Sequence, residues 1–211
     1  MMYNQVIWDF NGTIYNDVDI GIESVNTLLL KRGLKTINSL DEYRYIFRFP
    51  IRDYYEDLGF DLEYEGYENI AVEWVREYLK NEEHAGLFEG IETLLSDIKF
   101  SGRKQYLLST TEKGMLVNQL KRLNIFGLFD EIIGTGDIYA HSKIQAARHW
   151  SEGRCLDDAL LIGDTYHDFE TAEALGVSFA AVTYGHGAKN SFNPNTVFFG
   201  NVDEIRGYLK I

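Results

Sequence analysis

Five short apolar runs alternate with stretches of helical periodicity, and this alternation restricts the fold more than any other feature of the chain. The runs are QVIWDF (5–10), KQYLLS (104–109), DEIIGT (130–135), ALLIGD (159–164) and SFAAVTY (178–184), with TVFFG (196–200) as a sixth. Most are almost continuously apolar, as strands covered on both faces are. Between them lie IETLLSDIKF (91–100), KGMLVNQLKRL (113–123), KIQAARHW (143–150) and DFETAEAL (168–175), the last stopped by Gly176. Strand–helix alternation predicts an α/β fold: a parallel sheet with helices on both sides.

Residues 15–85 break the pattern. They hold no convincing strand and read as helices over 17–32, 40–48, 51–58 and 67–81, punctuated by Gly33, Pro50, Gly59 and Gly66. The expected organisation is an α/β core of residues 1–14 and 86–211 with an all-helical cap, 15–85, inserted after the first strand. That insertion lies over the carboxyl edge of the sheet, where open α/β sheets bind ligands.

The surface narrows the partners. A net charge of -13 over 211 residues repels nucleic acid and anionic membranes, so an anionic substrate must be held by local cations. Cys155 is the only cysteine, which excludes an internal disulfide and fits a reducing compartment. The start, MMYNQVIWDF, has no basic region followed by an apolar stretch and does not read as a secretory signal, and no apolar run approaches the ~18 residues of a membrane span. The expected location is cytoplasmic, and Asn11-Gly12-Thr13 is then a chance match to a glycosylation sequon. A monomer and a homodimer are equally compatible with the sequence.

Four points of chemistry fall in order along the chain. Asp9 ends the first strand. Ser109 is expected to end the second, with Thr110 and Thr111 opening the next helix. Lys143 begins a helix in HSKIQAA, and Asp164 and Asp168 follow LLIG in LLIGDTYHD. In a parallel sheet these strand ends share one edge. Several carboxylates there cannot all stay ionised without a cation, and hard oxygen ligands suit Mg²⁺. Ser109 offers a hydroxyl to a phosphate at a helix start, and Lys143 adds a compact positive charge. Asp9 is the candidate nucleophile, giving an aspartyl-phosphate that water hydrolyses.

At these residues the chain resembles the haloacid dehalogenase (HAD) superfamily. The family's DxDxT motif reads Asp9-Phe10-Asn11-Gly12-Thr13. Its Ser/Thr motif is Ser109, its Lys motif Lys143, and its GDxxxD motif runs from Gly163 to Asp168. AVTYGHG (181–187) and LFEGIETLL (87–95) look like segments of phosphoglycolate phosphatase-like members. The resemblance spans the chain and implies a Rossmann-like core with a cap. It implies a phosphatase acting on a small phosphorylated metabolite, with Mg²⁺ held by Asp9, Asp164 and the backbone carbonyl of Asn11. Asp168 would hold a metal-bound water, Thr13 would brace the loop, and Gly12, Ser109, Thr110 and Lys143 would bind the phosphate.

Asn11 departs from the pattern. Phosphatases of this family carry an acid there, which protonates the leaving alcohol and then activates water; an amide can do neither. Losing such help costs ~10²- to 10⁴-fold in rate. Turnover is then slow, or confined to good leaving groups such as acyl or aryl phosphates, or the phosphoenzyme is long-lived. The alternative is an impaired pseudo-phosphatase with a phosphate-binding or regulatory role. Dehalogenases carry Tyr at this position and lack the acidic fourth motif. Phosphonate-cleaving members carry Ala and use a cap lysine, for which Lys31, Lys35 and Lys80 show no clear placement.

Arg44, Arg48 and Arg52 punctuate RYIFRFPIRD in the cap. They pair with the acidic run that follows, or Arg48 or Arg52 reaches a second anionic group on the substrate. His84, His141, His149, His167 and His186 lack ligand spacing and read as surface or hydrogen-bonding residues, with His167 nearest the site. Trp8, Trp74 and Trp150 read as packing residues.

Overall fold

The computed structural model describes residues 3–136 and 143–211. His141 lies outside the described residues. Six parallel strands form one sheet in the order β5-β4-β1-β6-β7-β8: β1 (Gln5–Trp8), β4 (Lys104–Glu112), β5 (Glu131–Thr135), β6 (Ala159–Gly163), β7 (Ser178–Val182) and β8 (Val197–Phe199). The central strands β1 and β6 are almost entirely buried, as their unbroken apolar character requires. Helices α6 (Ile91–Phe100), α7 (Lys113–Arg122), α8 (Lys143–Ser151), α9 (Tyr166–Leu175) and α10 (Val202–Leu209) cover the faces. One face packs Trp8, Leu94, Leu107, Leu116 and Ile205 in a core; the other packs Ile7, Leu108, Ala147, Leu161 and Ala172.

The second strand runs further than expected. β4 continues through Ser109, Thr110 and Thr111 to Glu112, with a register shift between Leu108 and Glu112. The two threonines therefore do not open the next helix; α7 starts at Lys113, capped by Glu112, whose carboxylate accepts the N–H groups of Gly114 and Met115. The shift is stabilised locally: the Thr111 N–H donates to Ser109 Oγ at 3.0 Å.

After β1 the chain makes a two-residue strand, β2 (Tyr15–Asn16), which pairs antiparallel with β3 (Gly86–Leu87). Five helices lie between: α1 (Val18–Lys31), α2 (Leu40–Ile46), α3 (Ile51–Asp57), α4 (Leu62–Glu65) and α5 (Tyr67–Asn81). They share an apolar cluster built from Val25, Leu28, Leu29, Tyr54, Phe60 and Ile70, among others. The exposed side of this region carries ion pairs, including Lys31 and Arg32 with Glu73. No helix among the described residues is long and apolar enough to cross a membrane.

Candidate active site

The sheet delivers the polar residues to one edge. Asp9 follows β1, Asp164 follows β6, and Asp168 sits in the first turn of α9. Each of the three offers a carboxylate oxygen, and these atoms lie within 4.8 Å of one another. Lys143, at the start of α8 and 1% exposed, reaches across from the other side and donates to Asp9 Oδ1 and Asp168 Oδ1.

Asp168 has two duties. Its Oδ2 accepts the N–H groups of Asp164 (3.2 Å) and Thr165 (2.9 Å) and the Thr165 hydroxyl (2.7 Å), which caps α9 and aims the loop. Its Oδ1 faces Lys143. Asp164 takes the Thr13 hydroxyl at 3.2 Å and the His186 N–H at 2.6 Å. Backbone must approach Asp164 closely for this. Gly12 has φ 73°, and a Cβ there would meet Asp164 Oδ2 at 2.3 Å and His186 at 2.5 Å; one on Gly185 would meet Asp164 Oδ2 at 2.3 Å. Only glycine serves at either position.

The charges do not balance within the cluster. Burial, with Asp168 beside it, pushes the Asp9 carboxyl well above its ordinary range. Asp164 is pushed up to about 6, chiefly by burial. Burial acts on Asp168 too, but Lys143 outweighs it and holds that carboxyl below its usual value. Lys143 is held protonated by Asp168 and Asp9 against its own burial. One lysine thus leaves an excess of buried negative charge, and the all-oxygen donor set fits a hard divalent cation.

Asn11 is clamped. Its Nδ2 donates to Asp17 Oδ2 at 2.7 Å, and its Oδ1 accepts the Thr111 hydroxyl at 2.8 Å. These bonds fix which way the amide faces. Asp17, 3% exposed, also accepts the Tyr78 hydroxyl (2.8 Å), the Gly12 N–H (3.0 Å) and His186 Nε2–H (3.0 Å). Burial would raise the Asp17 carboxyl, but His186 and its hydrogen bonds hold it low. The same pair, against burial, pushes His186 up to about 9. His186 Nδ1 shares a 2.8 Å hydrogen bond with the Tyr43 hydroxyl of α2, and Arg44 Nε donates to the Gly185 carbonyl at 2.9 Å, so α2 is tied to the sheet edge.

A cavity of about 170 Å³ links this edge to the helices above, lined by Asp9, Asn11, Thr110, Asp164 and Asp168 below and mainly by aromatic rings above. Ser109 is buried beside it, its hydroxyl turned to Thr111. Arg48 and Arg52 are not among the lining residues: Arg48 pairs with Asp57 at 2.8 Å and Arg52 with Glu56 at 3.3 Å, each more than half exposed. Of the two readings of these arginines, the structure holds ion pairing with neighbouring acids. The histidine at the site is His186; His167 instead stacks on Phe49 at 4.7 Å and does not line the cavity. Trp74 does line it, so it is more than packing. Asp17 was missed because its only sequence signal, an acid before a helix, is that of an ordinary cap.

The family model for haloacid dehalogenase-like hydrolases matches residues 6–182. The chain belongs to that family. Among curated members, it is 27% identical over 217 residues to a 5′-nucleotidase from Pseudomonas aeruginosa, covering 99% of this chain and 89% of the relative. It is 24% identical to a phosphoglycolate phosphatase from Pseudomonas savastanoi pv. phaseolicola, covering 86% and 70%. The fold matches the crystal structure of a predicted phosphatase from Clostridium acetobutylicum with a TM-score of 0.80 and 24% identity, each chain covered in full. The protein is accordingly a hydrolase, a HAD-family phosphatase, as its ordered motifs imply. Members of this family typically use a divalent metal, which the three buried carboxylates fit.

Proposed function

We propose that the protein is a Mg²⁺-dependent phosphomonoesterase that attacks the phosphate of a small metabolite through Asp9. One observation carries the reading: Asp9 opens on the cavity while Lys143, Asp164 and Asp168 converge on it from three other elements. In this reading residues 15–85 act as a cap on a core of 1–14 and 86–211. Asp9, Asp164 and the carbonyl of Asn11 would hold the ion, with Asp168 supporting it; the ion supplies charge neutralisation for an anionic phosphate. Lys143 and the Ser109–Thr110 stretch of β4 orient the phosphoryl group.

An Asp9 oxygen bonds to phosphorus as the ester P–O bond breaks, and the electron pair leaves with the organic oxygen. Water then attacks phosphorus, releasing phosphate and a proton and restoring Asp9. Asn11 gives no proton in the first half and takes none in the second. Its clamped amide keeps an Oδ1 lone pair that orients the attacking water instead, and hydrolysis of the phosphoenzyme is slow.

The test is phosphate release from acetyl phosphate with added Mg²⁺, for wild type and Asp9→Asn. Wild type should turn over and Asp9→Asn should lose ~10⁴-fold or more. Equal rates in the two proteins would remove Asp9 from the mechanism.

A further inference from the structure

The cavity above the phosphate site has an unusual chemical character for a pocket that must take an anionic substrate. Phe47, Phe49, Tyr54, Tyr55 and Trp74 contribute rings to it, and among the described residues no lysine or arginine lines it. The charged groups that do line it are acidic, Glu112 and Asp17 joining the three carboxylates below, apart from His186, which is already paired with Asp17. An organic half bearing a carboxylate or second phosphate would meet no free cation there.

Two polar atoms in the lining are unmatched. The hydroxyl of Tyr54 and Oε1 of Gln119 are buried without a hydrogen-bond partner, on residues each 3% exposed. They come from two different helices, Tyr54 from α3 and Gln119 from α7. An orphaned buried polar atom costs free energy that a ligand group of the right kind recovers. Tyr54 can give or accept a hydrogen bond; Gln119 Oε1 can only accept. Two other tyrosine hydroxyls of the lining are spent, Tyr43 on His186 and Tyr78 on Asp17.

We infer that the organic half of the substrate is a flat aromatic ring carrying a hydrogen-bond donor, seated among the cap rings and read by Tyr54 and Gln119. This rests on the phosphatase reading of Asp9. Asn11 agrees with it when the ring sits directly on the ester oxygen. A phenolate, whose acid has a pKa of about 10, leaves with the electron pair of the broken P–O bond and needs no proton at that moment; it takes one from solvent afterwards. A ring set one sugar away, as in a nucleoside 5′-monophosphate, satisfies the cavity but leaves as an alkoxide.

Calorimetry on wild-type protein with Mg²⁺ tests the ring independently of turnover. Phenylphosphonate should bind on the order of 10- to 100-fold more tightly than ethylphosphonate, and phosphonoacetate no better than ethylphosphonate. The 4-aminophenyl compound should gain further, and Tyr54→Phe and Gln119→Leu should each remove ~5- to 10-fold of that gain. Equal affinities for phenyl- and ethylphosphonate, or a preference for phosphonoacetate, overturn the inference. Relative kcat/KM separates the two ring sources: phenyl phosphate ahead of a nucleoside 5′-monophosphate places the ring on the ester oxygen, and the reverse order places it beyond a sugar. Acetyl phosphate separates the layers. Turnover of it without ring preference sinks only this inference; ring preference in binding without any turnover sinks only the phosphatase reading.

Discussion

Below the cavity, at the sheet edge, Asp9, Asp17, Asp164 and Asp168 face two cations, Lys143 and His186, and most of their polar atoms are matched. Above it, the cap offers rings and one hydroxyl with nothing to bond. The floor is over-determined: Lys143, Asp168, Asp17 and His186 each hold two or more polar partners, so its geometry precedes any ligand. The roof is under-determined, with its polar capacity left open. Reactive groups belong in the first kind of surface, where their positions must not depend on what arrives. Selection belongs in the second, where an incoming molecule supplies the missing partner.

The contrast breaks most sharply in stability. Lys143→Met leaves Asp9 and Asp168 facing each other without their shared cation, and should destabilise the metal-free protein by about 3–5 kcal/mol in urea unfolding. Tyr54→Phe, which removes an unmatched hydroxyl from the roof, should be neutral or stabilising. Similar losses in the two variants would erase the distinction.

The pair that joins floor to roof gives a smaller, pH-dependent effect. His186 titrates at about 9 in the folded protein against about 6.5 when unfolded, so the native state binds the proton more tightly. Its contribution is complete below about pH 6.5 and is lost as pH rises to about 9, a change of about 3 kcal/mol. Thermal unfolding in chelator should show this decline in wild type, and His186→Gln should flatten it. A decline of equal slope in the variant would assign it to other groups.

The smallest effect lies at the Asn11–Asp17 hydrogen bond. Asn11→Asp places two carboxylates in contact and should cost about 1–3 kcal/mol. Adding Asp17→Asn exchanges amide and acid and should recover much of that, with a coupling of ~1–2 kcal/mol in a double-mutant cycle. Additive losses would mean the two side chains act independently.

Sequence order exposed four of the floor's six charged groups. Asp9, Lys143, Asp164 and Asp168 sit at strand or helix ends, and a parallel sheet brings such ends to one edge whatever their separation. The end of β4 was misplaced by three residues because Ser109, Thr110 and Thr111 suit a cap and a strand equally; pairing with β5 decided for the strand. Helix α10 went unread, although Val202, Ile205 and Leu209 share a face and Asn201 caps it by accepting the Glu204 N–H. The roof was the least legible. Its rings come from several helices with no common period. In the floor, the Asp17–His186 pair spans 169 positions, a pairing that no spacing rule anticipates.

The clamp on Asn11 also constrains the routes open to this chain in sequence space. One codon change turns asparagine into aspartate and would restore the acid usual at this position. Here that step runs into Asp17, 2.7 Å away and kept ionised by His186. An acid at position 11 is therefore better tolerated when Asp17 changes as well. Asn11 is thus an entrenched state, guarded by a neighbour whose hydrogen bonds now serve the amide.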